Sequence, residues 1–146
     1  MFQTIVIAMD ASEGSDRALP VAEHLARSEG ARLVLAHART HALETEIERA
    51  LALHVSELQK RGLDARLVVR PSMVGEEADA LVGIARDVEA DLIVIASRGR
   101  GPVAGVLLGS VSQRLLHVAP CPVVVVTPPA EPAVAAPEAP AVTSAG

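Results

Sequence analysis

The chain has no tryptophan and no tyrosine, and Phe2 is its only aromatic residue. That counts against any site that stacks bases or a flavin ring between aromatic side chains. Cys121 is the single cysteine, so no disulfide can close within the chain, which fits a reducing compartment. Set between two prolines with no evident base beside it, it reads as a small apolar side chain. Lysine occurs once, as Lys60 in the segment LQKRG, which is no place for the phosphate-reaching lysine of a P-loop. No apolar run approaches the roughly 18 to 20 residues that span a bilayer. The N-terminal stretch MFQTIVIAMD lacks a basic segment and reaches Asp10 too early for a secretory signal. A cytoplasmic protein without a membrane partner is expected. The net charge of -5 and the absence of a long basic run argue against nucleic acid as a partner.

What is present is a 146-residue chain, half of it apolar, which is enough for one domain with a real core. Apolar runs at Thr4 to Met9, Ala31 to Ala38, Ala65 to Val69, Leu92 to Ala96 and Val123 to Val126 read as strands buried on both faces. Between them lie helical patterns. The first carries Ala18, Ala22, Leu25 and Ala26 on one face, with Pro20 inside it, so the helix either starts near Pro20 or kinks there. Gly30 is its expected stop. The second runs from about Ala42 to Arg61, with Leu43, Ile47, Ala50, Leu51, His54 and Leu58 as the apolar stripe. The third opens at Glu76 and Glu77, acids suited to a helix N-terminus, and buries Ala78, Leu81, Val82, Ala85 and Val88. A short fourth begins at Ser110. Strands alternating with helices predict an α/β fold: one doubly wound, five-stranded parallel sheet of order 3-2-1-4-5 with helices on both faces. The loops DASEGS and SRGRGPVAG then flank one crevice at the topological switch point, where open α/β sheets bind ligands. The domain spans 1–127, and residues 128–146, rich in proline and alanine, are expected to be a disordered tail.

The stretch from Ile93 to Ser110, IVIASRGRGPVAGVLLGS, is the most informative. Between Asp91 and Glu131 there is no acidic residue, while Arg98, Arg100 and Arg114 fall inside. In an acidic chain that local reversal points to an anion. Gly99 and Gly101 let backbone N–H groups approach a ligand, and Gly109-Ser110 stands where a helix starts and favours negative charge. The Ser110 hydroxyl has two readings, a helix cap or a phosphate donor. GRGPVA from Gly99 fits the dinucleotide fingerprint in letters only, since no acid follows about 20 residues on and the motif lies after a fourth strand.

With these residues in view, the sequence resembles the universal stress protein family from Thr4 to Thr127. Nucleotide-binding members of that family carry G-x2-G-x9-G-[S/T] after the fourth strand. The matching register here is Ala96-x2-Gly99-x9-Gly109-Ser110, with alanine in place of the first glycine, and the segments LLGSVSQRLL and APCPVVVV look like the same family. The resemblance implies that Asp10 bonds the ribose or the adenine edge, that the backbone of Ala8 and of Ala38 lies against the base, and that Ile95 and Ala96 approach from strand four. It also implies that Gly99, Gly109, Ser110, Val111 and Ser112 cradle the phosphates. Arg98 and Arg100 are added from charge alone. If the Ala96 position needs positive φ, alanine there costs roughly 1 to 2 kcal/mol; if it needs only a small side chain, the cost is slight.

The function so implied is that of an ATP-binding regulator in a stress response, with Mg as counter-ion to the nucleotide. It would sense occupancy instead of turning substrate over: bound nucleotide would order the segment from Ser97 to Gly109 and so change a surface offered to a protein partner of unknown identity. A slow ATP hydrolase or phosphotransferase and a dimeric interaction module without nucleotide are the alternatives. The strand Val123 to Val126 falls at the sheet edge, where a bare apolar strand is an aggregation hazard, and the resemblance implies that a homodimer covers it. His37 and His41 have the spacing of a zinc pair on a helix but straddle a strand exit with no third ligand. His24, His54 and His117 read as surface or boundary residues.

Overall fold

The computed structural model describes residues 1–97 and 108–128. Five strands, β1 (Thr4–Ala8), β2 (Arg32–Arg39), β3 (Ala65–Pro71), β4 (Leu92–Ala96) and β5 (Val123–Val126), alternate with four helices among the described residues. The helices are α1 (Glu13–Glu29), α2 (Thr45–Lys60), α3 (Glu77–Asp87) and α4 (Ser110–Val118). The sheet is parallel throughout, in the order β3-β2-β1-β4-β5 expected from the sequence.

Alternation along each strand sends side chains to two cores. Ile5, Ile7, Leu33, Leu35, Leu92 and Val94 meet α1 and α2, while Val6, Val34, Ala36, Ile93 and Ile95 meet α3 and α4. Both cores are apolar, which is why the central strands read as unbroken hydrophobic runs. The start of β1 is held by Asp91, whose two carboxylate oxygens accept from Gln3 N at 2.8 Å and Thr4 N at 3.2 Å. This fixes β1 against the entry to β4, its neighbour in the sheet.

The ends of α1 follow from its residues. Ser12 accepts from the Ser15 amide as N-cap, and Gly30 closes the helix at φ 64°, a left-handed conformation that glycine adopts without strain. Pro20 lies within the helix, which begins seven residues earlier at Glu13. Its missing N–H falls on the helix face that bears the exposed residues Asp16 and Pro20, where water can serve the carbonyl left without an amide.

On α2 the sequence pattern is corrected. The helix starts at Thr45, and Leu43, placed on the apolar stripe, lies before it at 87 % exposure. The buried stripe is Leu51, Val55 and Leu58 at i, i+4 and i+7, with Val55 doing what the sequence assigned to His54. His54 instead faces Asp16 of α1 at 3.3 Å. β5 lies at the sheet edge, paired on one side with β4, and all four of its valines are half-buried. The proposed tail lies outside the described residues except for Pro128.

Leu58 is fully buried and Leu53, on the same helix, is 64 % exposed. Leu58→Ala is expected to destabilise by about 2 to 5 kcal/mol. Leu53→Ala should stay within about 0.5 kcal/mol of the parent. Urea midpoints of the two variants check both.

Candidate functional site

The carboxyl ends of β1, β2 and β4 and the N-terminus of α4 enclose a cleft of about 740 Å³, a size typical of small-molecule sites. It forms because β1 pairs with β2 on one side and β4 on the other, so the loops leaving β1 and β4 separate. Of the residues singled out in the sequence, Ala8, Asp10, Ala38, Ile95, Ala96, Gly109, Ser110, Val111 and Ser112 all line it. Arg98 and Gly99, with Arg100 and Gly101, lie outside the described residues.

The floor is apolar strand and the rim is polar. Asp10 caps β1, and its Oδ1 accepts from the Ser12 amide at 2.9 Å. That turn places Ala11 at φ 60°, an unusual conformation for alanine. Ser15 ties the turn together, donating through its hydroxyl to Ser12 O at 3.2 Å and accepting weakly from the Asp10 amide at 3.4 Å. Asp10 Oδ2 makes no hydrogen bond among the described residues, and the side chain lines the cleft.

On the opposite side, α4 begins with Gly109 in the cap position at φ -74° and ψ 169°, with no side chain capping it. Ser110 is therefore the first helical residue, and the cap reading of its hydroxyl gives way. The first intrahelical bond of α4 is Gln113 N to Gly109 O at 3.0 Å, so the amides of Ser110, Val111 and Ser112 precede the ladder. They form the positive end of a helix dipole at the cleft. Ser112 is buried, and its hydroxyl donates to Ala96 O at 2.8 Å. That bond joins α4 to the end of β4, so any contact of Ser112 with an anion falls to its amide.

Ala96 is an ordinary strand residue. The non-glycine residues at positive φ, among those described, are Ala11 and Glu89. The alanine that replaces glycine in the motif therefore stores no backbone strain, and its methyl is the whole of the difference.

A pair of polar groups that sequence reasoning left out of the site completes the wall. His37 is buried in β2, with Nδ1 2.8 Å from Met9 O and Nε2 2.7 Å from Glu44 Oε2. Glu44 Oε1 accepts from Thr40 Oγ1 at 2.9 Å and from the amides of Thr40 and His41 at 3.3 and 3.2 Å. Burial alone would push the Glu44 carboxyl up, but the hydrogen bonds from His37 and Thr40 outweigh it and hold the group below the usual carboxylate range. The ring of His37 is thus committed within the protein, and His41 lies exposed on the turn. The signal available in the sequence was a histidine inside an otherwise apolar strand with an acid seven residues on.

No lysine or arginine lines the cleft among the described residues, whereas Asp10, Glu44 and Glu77 do. Among those residues no cluster of His, Cys, Asp and Glu is arranged to hold a metal ion. Cys121 is remote from the cleft lining, and burial, with the Asp91 carboxylate nearby, pushes its thiol up, away from reactive thiolate behaviour.

The sequence pattern of the universal stress protein family matches residues 1–127. A universal stress protein of Thermus aquaticus is 36 % identical over 141 residues, covering 86 % of this chain and 99 % of the relative. Among solved structures, a universal stress protein from Archaeoglobus fulgidus is 28 % identical, with a TM-score of 0.69 over 86 % of this chain and 98 % of that one. A universal stress protein in complex with cAMP is 27 % identical, with a TM-score of 0.65 over 86 % and 97 % of the two chains. An Archaeoglobus fulgidus universal stress protein in complex with dAMP is also 27 % identical, with a TM-score of 0.67 over 84 % and 96 %.

Because the folded-state pKa of Glu44 is depressed, its contribution to stability is present above the unfolded-state value and disappears as pH falls through the folded-state one. Acid titration of the urea midpoint is expected to fall less steeply in Glu44→Gln than in the parent. Superimposable acid limbs would show that the carboxylate contributes nothing.

Proposed function

The chain belongs to the universal stress protein family, and from that membership we propose that its cleft binds an adenine nucleotide, ATP with Mg as counter-ion. Occupancy, without turnover, would be the signal. The observation that carries the reading is the opposition of Asp10 to the uncapped N-terminus of α4 across one cleft. A carboxylate at one end suits ribose hydroxyls, and helix amides at the other suit phosphate oxygens. The backbone at Ala8 and Ala38 supplies an apolar slot between them for a base, needing no aromatic partner. Two structural neighbours described as complexes with cAMP and dAMP support the choice of an adenine nucleotide.

Magnesium follows from charge. The cleft is lined by Asp10, Glu44 and Glu77 and by no basic side chain among the described residues, so a divalent cation would offset the charge that a polyphosphate adds there. Arg98 and Arg100 are proposed to add to this from the segment outside the described residues.

The edge strand β5 supports a second element of the reading, a homodimer. Its valines are β-branched, half-buried and paired on one side, the arrangement that a second copy of the strand would complete. This is expected to show as a dimer mass in sedimentation of the full chain at micromolar concentration, and a monomer there would remove the homodimer from the proposal.

Calorimetric titration of Mg-ATP into nucleotide-stripped protein tests the site. Micromolar binding, about -8 kcal/mol, is expected. Gly109→Val should abolish it, since φ at Gly109 is -74° and valine would fill the cleft without disturbing the backbone. Amide exchange at Ser110 to Ser112 should slow on binding, and phosphate release should stay at the buffer blank. A folded, stripped parent that takes up no nucleotide would refute the reading, and steady phosphate release would replace sensing by hydrolysis.

A further inference from the structure

Among the described residues, His37 is the one buried residue with an imidazole or carboxylate side chain, and it stands in the wall of the cleft. Both of its ring nitrogens meet acceptors. The Met9 carbonyl oxygen, 2.8 Å from Nδ1, has no proton to give, so Nδ1 carries one. The contact of Nε2 with Glu44 Oε2 at 2.7 Å holds one more proton between the two atoms. Turning the ring over would set carbon against both oxygens, so its partners determine its orientation. Three donors on Oε1 favour the ionised carboxylate, which puts the shared proton on the ring.

The ring thereby joins the end of β1, strand β2 and the turn into α2. On the nucleotide reading above, on which this inference rests, those segments form the wall against which the base lies. We propose that doubly protonated His37 is a positioning residue for nucleotide binding: it fastens the turn from Ala38 to Glu44 against β1, and loss of one proton loosens that wall and weakens binding. A neutral ring has one N–H for two acceptors. Either Met9 O or Glu44 Oε2 then faces a lone pair in a buried place, which is unfavourable.

The other charged groups around the ring have partners or positions of their own. Asp10 faces the cleft from the loop after β1 and is bonded by Ser12 N, while Glu77, at the start of α3, is bonded by Gly75 N. On α2, Glu48 pairs with Arg39 and His54 pairs with Asp16 of α1. His41 lies on the turn itself. Histidine is the side chain that changes charge near neutrality, so His41 and His54 are the controls.

Glu44→Gln separates the proton from the contact. Its amide can donate to Nε2 of a neutral ring while its oxygen still accepts from Thr40 and His41, so every bond survives without the second ring proton. In the parent, Mg-ATP affinity is expected to fall at least about fivefold between about pH 6 and about pH 8.5, against less than about twofold in Glu44→Gln. Titration of the nucleotide's own phosphates is common to both proteins and cancels in the comparison. His41→Gln and His54→Gln should keep the parental slope, and a slope that vanished in either would assign the effect to that histidine and overturn the proposal. Equal slopes in the parent and Glu44→Gln would overturn it too while leaving nucleotide binding intact. Nitrogen-15 spectra of the nucleotide-free protein at the lower pH give a readout independent of binding. Both His37 ring nitrogens should carry protons in the parent and one in Glu44→Gln; a singly protonated ring in the parent overturns the proposal. A doubly protonated ring in a protein that binds no Mg-ATP at either pH overturns the nucleotide reading, and the positioning role with it.

Discussion

The pairing of β1 with β2 on one side and β4 on the other is the constraint from which the rest of the molecule follows. With right-handed crossovers, the chain leaving β1 must build outward through β2 to β3, and it must then return across β1 to start β4. The two crossovers place α1 and α3 on opposite faces of the sheet. α4 lies on the face of α3, so the loops leaving β1 for α1 and β4 for α4 part at the carboxyl ends of these neighbouring strands, and the gap between them is the cleft. Asp91 matters to this arrangement out of proportion to its size, because its carboxylate holds the amides of Gln3 and Thr4 and so locks the central strand at the other end.

Much of this was legible in the sequence because buried parallel strands write themselves as unbroken apolar runs. TIVIA, LIVIA and VVVV lie within the expected strands, and order and crevice follow from connection rules. Helix faces were less legible where residues of mixed character compete. Leu43 fits the spacing of α2 but precedes the helix, because the carboxylate of Glu44 gathers the amides of Thr40 and His41 into a turn there. A periodicity argument has no way to see a turn organised by one side chain.

The candidate site was legible in its backbone parts and hidden in its side-chain pairing. Gly109 and Ser110 announce a helix start at a strand exit, and Asp10 announces a strand cap, so local chemistry suffices to bring them into question. The His37–Glu44 pair depends on three segments meeting, and the spacing of seven residues resembles nothing in particular until β1 lies beside β2. The Ala96 substitution shows the converse. The sequence raised the possibility of strain, and only the backbone, extended at that position, removes it.

Polar burial explains why the two kinds of residue separate so cleanly. The buried polar residues among those described are Ser12, Ser15, His37, Ser97 and Ser112, and all of them cluster at the end of the sheet that bears the cleft. No buried side-chain nitrogen or oxygen there lacks a partner among the described residues. Burying such groups adds little to stability over apolar side chains of the same shape, and leaving one unmatched is costly. A domain needing only to fold would therefore have little reason to collect them. Their bonds instead fix loop positions: Ser12 and Ser15 fix the turn at Asp10, His37 fixes the turn before α2, and Ser112 joins α4 to β4. The apolar cores supply the stability, and the polar end holds the shape of the cleft against which a ligand can be recognised.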